Sequence, residues 1–302
     1  MNHHIRQNLF AVLAAFIWGT AFVAQSVGAE HVPPFAFNAA RSGVAFLFIA
    51  VLCLTMKAWR KAHPTQTERA QPTSKRDLLV AGVCCGTALT VAAYFQQKGM
   101  ETTSSGKAGF ITALYIVIVP IIGLFLKKKA PRTIWVSVAL AVVGLYFLCI
   151  NEDFIITTGD FYILLCAFCF TAHILVIDYF TQKVDGVMMS CAQFLVMTIL
   201  SFIGTLLWES PSREGLMSCI GPILYVGIFS SGIGYTLQIL AQKDSNPTVI
   251  SLLMSLESVF AVLAGAIILG DQMSGKEYLG CLLMLTAVVL AQLPEPKSKK
   301  AT

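Results

Sequence analysis

Ten stretches of the chain stay apolar for about the 20 residues that a helix needs to cross a bilayer. They cover residues 8–27, 35–56, 78–97, 106–126, 133–150, 161–180, 188–208, 219–240, 248–269 and 278–293. Polar residues collect between them. Lys127, Lys128, Lys129, Pro131 and Arg132 part the fourth stretch from the fifth, because four charges and a proline are costly in hydrocarbon. The pattern predicts an all-α integral membrane protein of ten transmembrane helices. The first stretch follows Arg6 and is too long for the apolar core of a signal peptide. It also lacks a small-x-small cleavage site, so it reads as the first spanning helix.

Composition strengthens this reading. Apolar residues make up 56 % of the 302 and charged residues 12 %, and the mean hydropathy is +0.74. Soluble domains hold about 45–50 % and about 25 %. The net charge of +5 matters less than where the charges lie. With the N-terminus inside, inner segments hold 16 Lys and Arg residues and outer segments four. This bias places both chain ends in the cytoplasm of a protein that crosses the cell's inner or plasma membrane several times. Residues 57–77 read as a cytoplasmic loop and 294–302 as a cytoplasmic tail. Topology alone accounts for their basic residues, so no nucleic-acid partner is expected. The nine cysteines lie nearly all in apolar runs, where cysteine acts as a small hydrophobe. Cys166 and Cys169 form a C-x-x-C without a second ligand pair, so neither a metal nor a disulfide is expected.

The chain also repeats itself. Ala15-Phe16-Ile17-Trp18-Gly19-Thr20-Ala21 resembles Ala167-Phe168-Cys169-Phe170-Thr171-Ala172-His173, 152 positions on. Tyr94 and Gln97 match Tyr235 and Gln238 at an offset of 141, and 140–145 matches 283–288 at 143. A duplication in which one loop was lengthened gives such a drift. Each copy, 8–150 and 159–293, holds five stretches. Because five is odd, the second copy would enter the membrane from the opposite side. Two inverted repeats around a central site are a recurrent plan of secondary transporters.

Several motifs carry a family resemblance across essentially the whole chain. They are Phe16-Ile17-Trp18-Gly19-Thr20, Phe37-Asn38-Ala39-Ala40-Arg41, the run Lys107-Ala108-Gly109-Phe110-Ile111-Thr112-Ala113-Leu114-Tyr115 followed by Pro120, and Leu256-Glu257-Ser258-Val259-Phe260-Ala261 followed by Leu269-Gly270-Asp271. In order and spacing they resemble the EamA-type members of the drug/metabolite transporter superfamily. Ser258 stands where the family often has proline, and Asp271 where it often has glutamate. The resemblance implies ten helices and a central cavity lined mainly by the first, third, fourth, sixth, eighth and ninth. It also implies export of amino acids or other metabolites, without naming one.

Ionisable residues deep in a span are costly and usually face a cavity or a partner. Glu257 lies about 15 Å into the ninth stretch at about 1.5 Å per residue. It is a candidate to bind a cationic substrate group or a coupling proton. The plainer reading is a carboxylate bonded to hydroxyls such as those of Ser255 and Ser258. Arg41 is a candidate for a substrate carboxylate, or else a paired arginine that anchors the second helix. His173, mid-span, could relay protons, although a lone histidine is more often a bonded interior residue. Trp18, Tyr94, Gln97, Tyr115, Tyr235 and Gln238 put polar tips on large bodies, which suits a substrate pocket as well as helix packing. Gly82 and Gly86 form a G-x-x-x-G, a motif of close helix approach.

The expected activity is secondary transport of a small organic molecule, with the lipid bilayer as the other partner. Oligomeric state stays open, with a monomer sufficient. No Walker A motif is present, and neither a catalytic cluster nor a cofactor site is read. An intramembrane enzyme and a channel or sensor are the alternatives, distinguished by lipid turnover and by ion conductance.

Overall fold

The computed structural model describes residues 3–63, 73–103, 105–126, 131–149, 157–264, 267 and 273–293, and no strand occurs among them. In chain order the helices are α1 (His3–His31), α2 (Pro34–Ala62), α3 (Lys75–Gly99), α4 (Ser105–Ala113), α5 (Tyr115–Phe125), α6 (Arg132–Cys149), α7 (Thr158–Phe180) and α8 (Gly186–Trp208). There follow α9 (Arg213–Ser218), α10 (Ile220–Tyr225), a π-helical segment (Val226–Gly234), α11 (Tyr235–Gln242), α12 (Pro247–Met254), α13 (Glu257–Ala264) and α14 (Gly275–Gln292). Among the described residues, eight helical runs are long and apolar enough to cross a membrane. The run Lys107–Phe125 passes through α4 and α5, and Ile220–Gln242 passes through α10, the π segment and α11. Arg132–Leu148 and Pro247–Leu263 are shorter apolar helices at the fifth and ninth predicted stretches. Lys127, Lys128 and Lys129, residues 64–72, Leu269-Gly270-Asp271 and the tail 294–302 lie outside the described residues.

Side chains at the junctions explain where the helices begin. Ser74 caps α3, Asp185 caps α8, and Asn246 caps α12, where Pro247 fills the first helical position. Thr157 with Asp160 and Ser274 with Glu277 form capping boxes on α7 and α14. The prolines before α2 leave no side-chain cap, and Glu209 from the far end of α8 supplies one. Its carboxylate accepts from the Phe35 and Ala36 amides, both at 2.9 Å. At the edges of the predicted segment 57–77, α2 continues to Ala62 and α3 starts at Lys75. Amphiphilic ends such as Trp59-Arg60-Lys61 extend a helix past the apolar stretch without breaking it.

Large apolar side chains such as Leu54, Phe125 and Leu206 cover the outside. In a bilayer that is the lipid-facing surface. Glycines set the close crossings inside. A Cβ on Gly86 of α3 would lie 2.6 Å from Val196 Cβ and 2.7 Å from the Gln193 carbonyl of α8. One on Gly227 of the π segment would lie 2.8 Å from Val44 Cβ and 2.9 Å from the Arg41 carbonyl of α2. The predicted G-x-x-x-G is therefore a packing surface, with Gly82 seated on Ala192.

Two apolar helical runs, Lys107–Phe125 and Pro247–Leu263, are interrupted near their middles. Between α4 and α5 the Leu114 amide bonds back to the Ile111 carbonyl and the Val117 amide to that of Leu114. Between α12 and α13 the Leu256 amide bonds to Leu253 and that of Ser258 to Ser255. Both are i→i−3 bonds in place of the α-helical ladder, and both interruptions deliver a polar side chain, Tyr115 and Glu257, at the start of the second half-helix.

Candidate functional site

A cavity lies between the helices in the middle of the bundle. Its walls come from α1 (Trp18, Phe22, Gln25), α2 (Arg41), α3 (Gln96), α4 and α5 (Thr112, Tyr115), α7 (Phe170, Ile174), the π segment (Ser230), α11 (Tyr235, Gln238), α12 (Met254) and α13 (Glu257). Polar tips on an otherwise apolar and aromatic wall suit a small organic molecule.

Local structure positions each of these side chains. Gly19 lets α1 cross α13 closely, since a Cβ there would stand 2.6 Å from the Glu257 carbonyl. The crossing brings Trp18 into the cavity, where its indole N–H donates to the Ser230 carbonyl at 3.2 Å. Gly234 makes room for that indole. The π segment sets the register here, because the Tyr235 amide reaches back five residues to the same Ser230 carbonyl. Tyr235 is boxed in by aromatic rings: Trp18 at 4.9 Å, Phe194 at 5.8 Å and the His173 imidazole at 5.9 Å between centroids. A ring held on three sides keeps its hydroxyl on the cavity wall.

Glu257 is 5 % exposed and opens α13 at the interruption of the ninth stretch. Neither serine named above serves the carboxylate, since Ser255 donates to the Leu252 carbonyl at 2.8 Å and the Ser258 hydroxyl has no partner. Nor does it pair with Arg41: the ion pairs among the described residues are Arg60–Asp185, Lys98–Glu101 and Lys107–Asp160. Tyr115 lies beside the carboxylate without completing a well-formed hydrogen bond. Thr112 Oγ1 and Gln238 Oε1, both on the cavity wall, also lack partners. Buried polar atoms left open in this way are costly unless something else fills their valences.

The cavity thus unites six of the predicted residues, namely Trp18, Arg41, Tyr115, Tyr235, Gln238 and Glu257. Three others lie elsewhere. Tyr94 stacks on Phe35 at 4.3 Å and lines an open vestibule with Glu30, His31, Lys98, Glu101, Trp208 and Glu209. Gln97 is buried and donates to the Gln25 carbonyl at 3.0 Å. His173 is buried, and its Nε2 lies 3.0 Å from Gln193 Oε1. Sequence reasoning passed over Gln25, Gln96, Thr112 and Ser230. Uncharged polar residues within apolar stretches are the signal that could have found them. Among the described residues no group of three or more His, Cys, Asp or Glu side chains could hold a metal.

Known proteins agree with this architecture. The model of the EamA-like transporter family matches the chain twice, over residues 6–150 and 157–293. A protein of Archaeoglobus fulgidus described as an uncharacterized transporter is 30 % identical over 287 residues, covering 95 % of this chain and 85 % of its own. The uncharacterized transporter YwfM of Bacillus subtilis is 24 % identical, over 97 % and 96 % of the two chains. A solved structure titled "Crystal structure of protein" superposes with a TM-score of 0.75 at 17 % identity, covering 95 % of this chain and 96 % of that one. A twofold family match spanning nearly every residue, a fold shared over its full length and a bundle of apolar helices lead to one conclusion: the chain is a multi-pass membrane protein that belongs to the EamA-like transporter family.

Proposed function

We propose that the chain is a secondary transporter that moves a small organic metabolite, an amino acid or similar, out of the cell across the cytoplasmic membrane by alternating access. In this reading ten spans form two inverted five-helix repeats, 8–150 and 159–293, and both termini are cytoplasmic. Glu257 is the observation that carries it. A buried carboxylate without an ion-pair partner, at the interruption of a span, faces a central cavity walled by both halves. Interrupted helices that meet at the midplane are where secondary transporters hold substrates and coupling ions.

Packing supports the repeat. The contacts of Gly86 with Gln193 and Val196 correspond to those of Gly227 with Arg41 and Val44. Shifting Gly86 by 141 positions gives Gly227, and shifting Arg41 and Val44 by 152 gives Gln193 and Val196. These are the offsets found in the sequence. The interruptions agree as well, because Tyr115 and Glu257 occupy matching places. Two copies related in this way can exchange conformations, closing the cavity to one side while opening it to the other.

The test loads proteoliposomes with a metabolite mixture and follows each compound by mass spectrometry. The proposal expects selective flux of one chemical class, outward in the native orientation. No flux of any pooled compound, in either direction, contradicts it.

A further inference from the structure

Arg41 presents a second unanswered charge in the same cavity. It is 2 % exposed, six residues into the second predicted stretch. Its Nε donates to Asn38 Oδ1 at 2.8 Å and its Nη1 to Gln25 Oε1 at 3.3 Å. Gln25 is itself tied down, since its carbonyl accepts from Gln97 Nε2 at 3.0 Å. The guanidinium is thus clamped from α1 and α2, with α3 bracing the clamp. Both acceptors are neutral amides, and none of the ion pairs among the described residues includes Arg41. A guanidinium has five N–H donors, and neutral acceptors do little to offset the burial of its charge. Beside it the Asn38 Nδ2 amide, fully buried, has no partner either. A rigid fork of donors with a further N–H next to it is the geometry that carboxylates take up in bidentate fashion.

We propose that Arg41 is the oxyanion-binding residue of the cavity, that it takes a carboxylate of the transported molecule, and that Asn38 and Gln25 are its positioning residues. This rests on the transport reading and narrows the substrate to molecules that carry such a group. Asn38 Oδ1 takes the Nε donor and Gln25 Oε1 one donor of Nη1, which leaves the two Nη2 donors and the second Nη1 donor for the ligand. Trading the fork for the point charge of lysine would keep the attraction and lose the two-pronged fit.

The test measures thermal unfolding of the purified full-length protein in acetate, in acetamide and in chloride, with ionic strength matched. Acetate has the carboxylate, and acetamide is its neutral isostere. The expected result is a saturable rise of the midpoint with acetate alone, because a ligand of the folded state stabilises it. Arg41→Gln abolishes that rise. Asn38→Ala and Gln25→Ala each weaken acetate binding by about tenfold, as loss of one charge-assisted hydrogen bond implies. A merely structural role for either residue would lower the midpoint in every salt and leave the acetate increment unchanged, which overturns the positioning claim. Should Arg41→Gln fail to fold, Arg41→Lys carries the test, and undiminished acetate affinity in it overturns the proposal. So does an equal response of the wild type to acetate and acetamide. If metabolites cross proteoliposomes while acetate leaves the wild type unmoved, the oxyanion site falls and transport stands. If acetate binds and no compound crosses, the transport reading fails and the anion site remains.

Discussion

Two residues dominate the chemistry of the cavity, and each is buried without a counter-ion. Burying one charge alone is expensive, so a sequence that keeps both Glu257 and Arg41 in one chamber gains something from leaving them apart. For Glu257, that gain is taken to be a proton or a cationic group that comes and goes. Glu257→Gln is expected to abolish gradient-driven flux while exchange of labelled substrate stays measurable. Flux with unchanged pH dependence in this variant would remove the proton role. Gly19 gives a prediction about shape. A Cβ there would meet the Glu257 carbonyl at 2.6 Å and Phe260 Cβ at 2.8 Å. Gly19→Val should therefore cost about 1–3 kcal/mol in unfolding free energy. Gly43→Ala, whose new methyl would stand 3.6 Å from Thr198 Cγ2, should stay within about 0.5 kcal/mol and serves as the control. A reversal of that order in denaturant titrations would contradict the packing argument.

At the scale of elements, the apolar stretches were plain in the sequence because length against bilayer thickness is a coarse and forgiving signal. The interruptions were not. The break before Tyr115 has neither glycine nor proline at Leu114, and Pro120 sits inside α5, within a helix that it does not end. No local breaker marks these positions in the sequence, so apolar periodicity alone runs straight through them. The π segment was hidden for the same reason. Tyr94 and Tyr235 illustrate a different limit. Their offset of 141 marks them as a matched pair in the sequence, yet the two side chains have different surroundings. In one conformation Tyr235 faces the cavity and Tyr94 the vestibule. One junction between elements lends itself to measurement. Lys107 of α4 meets Asp160 of α7 at 2.5 Å, with side chains 15 % and 7 % exposed, and Thr103 donates to the same carboxyl group at 3.0 Å. Asp160→Asn is expected to cost about 1–3 kcal/mol, because the bonds from Lys107 and from the Thr157 amide lose their anionic acceptor. A loss below about 1 kcal/mol would show the pair to behave as a surface bridge.

For the whole molecule, the proposed transport needs two inverted copies of one unit around the cavity, opening it to one side and then to the other. Tags on the two ends should be accessible from the cytoplasm only, and tags on opposite faces would undo the inverted repeat. Alternating access itself is tested most directly at the cavity wall. Ser230 is 2 % exposed and lines the chamber, so in a variant whose native cysteines are replaced, Ser230→Cys reports who can reach it. Membrane-impermeant thiol reagents are applied to right-side-out and to inverted vesicles, and the modification rate is read by mass spectrometry. The account predicts modification from both faces. Reaction from one face only, in every condition that supports flux, would contradict it.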